Sequence, residues 1–195
     1  LLTGIGGMLS FGQAAFVGLG AYTAAYLTLT YDVSPWLTVF AGLVITTVFA
    51  LVVGWVTLRM SGHYLPLATI AWGLSLYYLL GNMETLGKYD GLMGVPAIYF
   101  FDIELNTGRH FYYLLWVIVM LAAIGVTHLL DSRTGRAIRA LKGGVTMAEA
   151  MGVNTFGYKV KVFLIAALLA SISGWLFAHF HRSVNPSPFG IKLSI

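Results

Sequence analysis

Charged side chains that could do chemistry are concentrated in one part of this sequence, between positions 131 and 161. This segment reads DSRTGRAIRALKGGVTMAEAMGVNTFGYKVK, and six cations outnumber its two acids, Asp131 and Glu149. The cations are Arg133, Arg136, Arg139, Lys142, Lys159 and Lys161. The sequence on both sides is apolar. A basic break between apolar segments suits the docking of a partner better than catalysis, so we interpret it as a docking segment.

Two short helices are predicted within this segment. Thr134 can act as the N-cap of the first, which runs to Lys142, because a threonine hydroxyl accepts a hydrogen bond from first-turn amides. This helix carries Arg136 and Arg139 three residues apart, and the pair Gly143-Gly144 ends it.

The second helix contains the more specific signal. Thr146 and Glu149 have the spacing of a capping box, in which each side chain satisfies the other residue's backbone amide. Gly152 occupies the position at which a helix commonly ends in a left-handed residue. In the structural interpretation, Glu149 caps a helix of about one and a half turns. In the functional interpretation, this short, stiff helix, with Ala150 in it, is a knob that a partner protein receives. The two interpretations are compatible.

No other group of side chains has the spacing of a catalytic, metal or nucleotide site. The five histidines share no spacing, cysteine is absent, and there is no GxxxxGK[ST] motif to cradle phosphates. His63, His128, His179 and His181 fall near predicted helix ends, which is typical of interfacial or capping histidines. We therefore predict no catalytic residue, no bound metal and no cofactor.

The composition indicates the environment of these residues. Apolar residues make up 58% of the 195-residue chain, charged residues only 9%, and the mean hydropathy is +0.84. A globular domain carries about 25% charged residues, so most of this chain must face lipid or other apolar helices. The net charge of +4 is too small for a nucleic-acid-binding surface. We expect one transmembrane domain, residues 1–195, that is incomplete at both ends.

Five membrane-spanning helices are predicted from the apolar runs, at residues 13–30, 36–58, 63–81, 111–130 and 160–181. Residues 1–12 contain four glycines, too many for a straight helix. We expect them to form the end of an earlier span or a broken, re-entrant segment. Small residues recur at every fourth position of the last span, at Ala166, Ala170, Gly174 and Ala178, which lets neighbouring backbones approach. The expected fold class is all-α, a polytopic transmembrane helical bundle.

Loop charge predicts the orientation of this bundle. Arg59 and the 131–159 loop share one face, while residues 82–110 and the last residues share the other. The first face, with Lys161 just beyond its loop, carries seven cations and the second face carries four. By the positive-inside rule the first face is cytoplasmic, so 131–159 is a cytoplasmic loop and the acidic 82–110 segment is external. The apolar middle of that external segment, VPAIYFF, is expected to lie along the membrane interface.

The predicted spans contain no carboxylate, because all seven acids fall in loops. Carriers driven by protons or sodium usually hold an ionisable group or ion ligand near the middle of the membrane. The absence of such a group favours a permease that another protein energises. Candidates for the substrate pathway are Ser10 and Gln13 in the first segment, and His63 and Tyr64 at the mouth of the third span. The alternative is that these residues pack helices.

Four stretches of the sequence resemble the branched-chain amino acid permease family of ABC importers, and its LivM-type members in particular. They are GGMLSFGQAAFVGLGAYTAA (6–25), LRMSGHYLPLATIAWG (58–73), KYDGLMGVP (88–96) and GRAIRALKGGVTMAEAMGVN (135–154). The run AEAMGVN (148–154) resembles the EAA-type loop of these permeases. The external loop of the family often reads Gly-Gly-Asp-Gly, where this chain has Lys88-Tyr89-Asp90-Gly91.

The resemblance implies a non-enzymatic transport subunit that moves branched-chain or related hydrophobic amino acids across the bacterial inner membrane. It implies a LivH-type permease partner, two cytoplasmic ATPase subunits that hydrolyse ATP, and a periplasmic substrate-binding protein. The ATPase-coupling residues would be Thr146, Glu149, Ala150 and Gly152, with Arg136 and Arg139 beside them.

Other functions stay open at this point. The same family includes urea and short-amide permeases, so the resemblance does not define the substrate. A secondary carrier or a channel would move solute without any ATPase. A membrane enzyme would need a constellation of acids, cysteines or histidines within the spans, which the sequence lacks.

Overall fold

The computed structural model describes residues 2–8, 10–60, 64–100, 103–104 and 108–190. The helices in this part of the chain are α1 (Gln13–Tyr31), α2 (Pro35–Thr57), α3 (Tyr64–Asn82), α4 (Gly108–Asp131), α5 (Arg133–Gly143), α6 (Val145–Ala150) and α7 (Thr155–His181). Two 3-10 turns are Glu84–Leu86 and Ser187–Phe189. Four two-residue strands are β1 (Leu92–Met93), β2 (Tyr99–Phe100), β3 (Ile103–Glu104) and β4 (Ser183–Val184). The all-α expectation is confirmed.

All five predicted spans form helices. Among the described residues, α2, α3, α4 and α7 are long and apolar enough to cross a membrane. The fifth, α1, is 19 residues long and uncharged. α7 begins at Thr155 rather than at residue 160, because the Asn154 side chain caps it by accepting a hydrogen bond from the Gly157 amide at 3.0 Å.

The central helix of the bundle is α1, which packs most extensively against α7 and α2. Its residues Ala21, Ala24 and Ala25 have no exposed surface. The backbone of Gly20 lies directly against Ser171 of α7, and the backbone of Gly174 lies against Val17 of α1. A β-carbon at either glycine would overlap the facing backbone. The predicted small-residue stripe of α7 is therefore a helix contact at Gly174.

Apolar clusters close the two ends of the bundle. At one end Leu58 and Leu65 pack with Ile138 of α5 and Val162 of α7. At the other end Leu80, Val95, Val184 and Phe189 pack with the second halves of α1 and α7. We call the first the basic end, since α5 and Arg59 lie there. We call the second the acidic end, since the described part of the acidic 82–110 segment lies there. The described parts of the loops that are predicted to share a face lie at a common end.

Residues 2–8 and 10–12 lead into α1 without forming a helix, as the prediction of a broken segment requires. The amide of Met8 donates to the Leu2 carbonyl at 3.1 Å. The amide of Phe11 donates to Thr69 Oγ1 of α3 at 3.1 Å, and Lys142 Nζ donates to the Gly4 carbonyl at 2.9 Å. Backbone that leaves the helical conformation inside a membrane protein needs such partners, because lipid offers none.

Most of the described part of the apolar stretch after Gly94 is buried in the protein, and its location along the membrane interface stays a prediction. Val95, Ala97 and Ile98 are buried, with at most 4% of their surface exposed. β1 pairs antiparallel with β4, and the amides of Gly94 and Val95 donate to the Arg182 carbonyl at 3.0 and 3.1 Å. This pairing ties the loop to the end of α7, so its apolar residues cover the helix ends.

The turn that departs from the family's glycine-rich sequence contains left-handed residues. Lys88 has φ of 51°, between Gly87 and Gly91, which both have φ of 75°. A residue with a side chain adopts this region uncommonly. Lys88 Nζ lies 2.8 Å from the Glu84 carboxylate, with both side chains largely exposed.

The least buried helix is α4. Only Phe111 of this helix is buried, and its ring contacts Phe180 of α7 with 4.8 Å between centroids. An apolar groove of about 660 Å³ separates α4 from α2 and α7, with Trp36 and Trp175 among its lining residues. The tightly packed unit of the fold therefore excludes most of α4.

Substitution of Gly174 by alanine is expected to destabilise the bundle by at least about 2 kcal/mol, because the new methyl group would overlap the backbone of α1. Thermal unfolding in detergent, followed by circular dichroism, would measure the loss. Gly125→Ala in α4 is the matched control, because no atom lies within 4 Å of its added carbon. Equal melting temperatures for the two variants would contradict the close contact between α1 and α7.

Candidate functional site

The basic segment starts with α5, whose N-cap is Ser132. Ser132 Oγ accepts a hydrogen bond from the Gly135 amide at 3.2 Å and donates one to the Leu129 carbonyl at 2.6 Å. The prediction that Thr134 caps this helix is wrong, since Thr134 lies within its first turn. Serine is a stronger N-cap than threonine, and here its hydroxyl also satisfies a carbonyl at the end of α4. The helix ends at Gly143, one residue beyond the predicted end at Lys142, and Gly144 follows it.

One face of α5 holds it on the bundle while the other carries cations. Ile138 is fully buried and Leu141 is 4% exposed. On the exposed face, Arg139 donates to the Leu130 carbonyl at 2.8 Å and Arg136 donates to the Asp131 carbonyl at 3.3 Å. Cationic side chains stabilise the unpaired carbonyls at a helix C-terminus. Both arginines therefore join α5 to the end of α4.

The capping box predicted for α6 is wrong. α6 begins at Val145, directly after Gly144, and no side chain caps it. Gly144 has φ of 140°, so the chain turns sharply there and Thr146 lies inside the first turn. Because the helix starts earlier than the capping box requires, Thr146 and Glu149 do not satisfy each other's amides.

Glu149 instead connects α6 to α7. Thr155 Oγ1, in the first turn of α7, donates to Glu149 Oε1 at 2.6 Å. Thr155 is 5% exposed, while Glu149 is exposed to solvent. A hydrogen bond to an ionised acceptor is stronger than a neutral one. Glu149 therefore braces α6 against the helix that follows it.

The predicted end of α6 is confirmed. Gly152 has φ of 79° and its amide donates to the Glu149 carbonyl at 2.9 Å, while the Val153 amide donates to the Ala148 carbonyl at 3.0 Å. These are the bonds of a helix that ends in a left-handed residue. Ala148 points inward with 4% exposure, whereas Ala150 is exposed. α6 is thus a short turn held by one buried alanine, one hydrogen-bonded carboxylate and one glycine.

The predicted substrate-pathway residues fall into two groups. Ser10 Oγ and Gln13 Nε2 are buried without a hydrogen-bond partner among the described residues. They flank the stretch whose Phe11 amide binds Thr69. Tyr64 is 67% exposed, so it does not join that interior group. His63 lies outside the described residues.

Sequence reasoning missed two further polar residues, Thr69 and Tyr22, and placed a third, His179, only near a helix end. Thr69 both accepts from the Phe11 amide and donates to the Pro66 carbonyl at 2.9 Å. Tyr22 OH and His179 Nε2 are buried without a described partner. His179 Nδ1 lies 2.9 Å from the Pro96 carbonyl, so this nitrogen carries the proton and donates. Their placement follows from helix packing, and only the polarity of these residues within apolar runs marks them in the sequence.

Among the described residues, no group of three or more His, Asp or Glu side chains could hold a metal ion. The site therefore consists of a braced helical segment at the basic end and a small set of buried polar atoms beside the start of α1. The first could transmit a contact with another protein, and the second could contact a polar solute.

These features define a multi-pass helical membrane protein with a structured basic segment at one end. The profile of the family described as "Branched-chain amino acid transport system / permease component" matches residues 1–195. The chain belongs to this family.

Individual relatives agree with the family assignment. The chain is 28% identical to the high-affinity branched-chain amino acid transport system permease protein LivM of Salmonella typhimurium, over 97% of this chain and 50% of that protein. It is 26% identical to LivH of the same organism over 95% of this chain and 66% of LivH. A nucleoside ABC transporter permease, NupC of Lactococcus lactis, is 24% identical over 89% of this chain and 59% of that protein. The chain thus spans about half to two-thirds of these relatives. No solved structure matches it.

Ser132→Ala is expected to destabilise α5 by about 1 kcal/mol, because it removes an N-cap. Thr134→Ala is the matched control and should change the helix by less than about 0.5 kcal/mol. Amide hydrogen exchange of residues 135–142 in detergent micelles would report both effects. Equal acceleration in the two variants would show that Ser132 is not the cap.

Glu149→Gln and Thr155→Val are expected to be non-additive, with a coupling of about 1 kcal/mol, because the first removes the charge of the acceptor and the second removes the donor of the same hydrogen bond. Hydrogen exchange of residues 145–153 in the two single variants and the double variant would measure it. Glu84→Gln, at the exposed pair with Lys88, should leave this segment unchanged. Strictly additive effects would mean that Glu149 does not brace α6.

Proposed function

We propose that this chain is part of the membrane-spanning permease subunit of an ABC importer, which translocates branched-chain or related hydrophobic amino acids. The family match over the whole chain supports this proposal. The observation that carries its mechanism is the braced α6 at the basic end. A partner that hydrolyses ATP can transmit motion only to a segment that keeps its conformation when the partner contacts it. α6 meets this condition because buried Ala148, hydrogen-bonded Glu149 and the left-handed Gly152 hold it in place.

The proposed path of motion runs from α6 into the helices. Glu149 joins α6 to the first turn of α7 through Thr155, and Arg139 joins α5 to the end of α4. α7 in turn packs along α1. A displacement of α6 by two cytoplasmic ATPase subunits would therefore reach the central helix of the bundle. The coupling residues proposed here are Thr146, Glu149, Ala150, Gly152, Arg136 and Arg139.

The proposed orientation places the basic end, with residues 131–159, in the cytoplasm. The acidic end, with residues 82–110, then faces the periplasm across the bacterial inner membrane. A substrate-binding protein would deliver its ligand at this acidic end. A second, LivH-type permease subunit would complete the pathway.

Ser10 and Gln13 are proposed to contribute to the substrate pathway. Their polar atoms are buried without a described partner, Ser10 in non-helical backbone and Gln13 at the first residue of α1. In membrane transporters, interrupted backbone of this kind often contacts the transported solute. Tyr64 and His63 stay as candidates at the mouth of α3.

Uptake into proteoliposomes tests this function directly. With the partner permease, the ATPase subunits and the binding protein present, leucine, isoleucine and valine uptake should require ATP. Urea, acetamide and nucleosides should compete weakly, because the proposed substrates carry an apolar side chain. Proteoliposomes that lack the ATPase subunits are the control. Uptake in that control would indicate a channel or secondary carrier, and preferential urea or nucleoside uptake would replace the proposed substrate.

A further inference from the structure

Two exposed methionines stand out at the basic end. Met147 is 72% exposed and Met151 is 80% exposed. They are four residues apart on one helical turn, so their side chains lie on one face. Exposed apolar residues of α2, α3 and α4 belong to helices long enough to face lipid, whereas α6 has six residues. The exposure of these methionines therefore needs a different partner.

The turn that carries both methionines is fixed on its opposite side. Ala148 is buried, and Glu149 is hydrogen-bonded to Thr155 at 2.6 Å. Two flexible, polarisable side chains thus project from a turn whose backbone is held. Methionine adapts its shape to an apolar cavity and is frequent at protein-binding surfaces.

Positive charge is concentrated on the two helices that precede and follow α6. Six cations lie on α5 and in the first turns of α7, and none has a carboxylate within salt-bridge distance among the described residues. Lys142 donates to the Gly4 carbonyl at 2.9 Å, and Lys161 Nζ lies 5.1 Å from the Tyr158 ring centre. These contacts bring no carboxylate to the cations. A complementary surface is an apolar cleft bordered by carboxylates.

We propose that Met147 and Met151 anchor this segment in an apolar, carboxylate-bordered cleft of the ATPase subunit. Glu149 is then a positioning residue, which holds the anchors through its hydrogen bond with Thr155. This assignment rests on the proposed function. A protein cleft fits better than a membrane surface, because helices that lie on membranes use a long apolar face. Here the apolar face of α5, with Ile138, is already buried in the protein.

Retention of the ATPase on the detergent-solubilised transporter tests the anchors. Met147→Ser with Met151→Ser should weaken retention at least about tenfold, because two apolar side chains lose their burial. Replacement of both by leucine should keep retention within about threefold, since volume and polarity are nearly conserved. Met93→Ser, at a methionine that is 74% exposed at the acidic end, is the control and should change nothing.

The outcomes separate this assignment from the proposed function. Retention by the serine double variant within twofold of wild type would overturn the anchors and leave the proposed function standing. Failure of the wild-type permease to retain any ATPase would overturn the proposed function and the anchors with it.

A second measurement tests the anchoring role of Met147 and Met151 if the serine double variant does not accumulate in the membrane. The chain has no cysteine, so Met147→Cys carries one polarity-sensitive fluorophore. Its emission should shift to the blue when the ATPase is added to the reconstituted transporter. Quenching by brominated lipids that the ATPase does not relieve would indicate insertion into the membrane, and would overturn the assignment.

Discussion

The close backbone contact between α1 and α7 is the constraint on which the rest of this structure depends. Gly20 and Gly174 let the two helices approach until backbone meets backbone. In lipid there is no hydrophobic gain from bringing helices together, so association rests on van der Waals contact and hydrogen bonds. α2 joins at the same level, where Gly42 faces Gly20 and Thr46 Oγ1 donates to Ser171 Oγ at 3.0 Å. Three helices therefore meet where their side chains are smallest.

This contact determines where the functional elements lie. Because α1 is enclosed by α2, α3 and α7, the non-helical residues before it must find hydrogen-bond partners inside the protein, and Thr69 supplies one. Ser10 and Gln13 are thereby placed in the interior with unsatisfied polar atoms. At the basic end, α6 is attached to α7, the helix packed most closely on α1. A docking event and a solute-contacting region are thus linked through one packed pair of helices.

Sequence reasoning failed where two local motifs competed or where distant residues met. Thr134 and Ser132 are both acceptable caps for α5, and the carbonyl of Leu129 favoured the serine by giving its hydroxyl a second partner. The capping box of Thr146 and Glu149 has suitable spacing, but Gly144 starts the helix earlier and Thr155 provides a different partner for the carboxylate. Burial of Val95 and Ile98 depends on strands separated by about ninety residues, which no local pattern can show.

The sequence by itself determined the apolar helices, the grouping of loops at two ends, the glycine that ends α6 and the resemblance to a permease family. These properties follow from hydropathy, charge and backbone freedom, which act over one helix or one turn. Only the tertiary structure decided that Glu149 braces α7 and that Met147 and Met151 face outward. It also decided that Ser10 and Gln13 are buried without partners, because burial and hydrogen bonding depend on which helices meet. The packing of α1 against α7 determines which of these residues are buried and which are exposed.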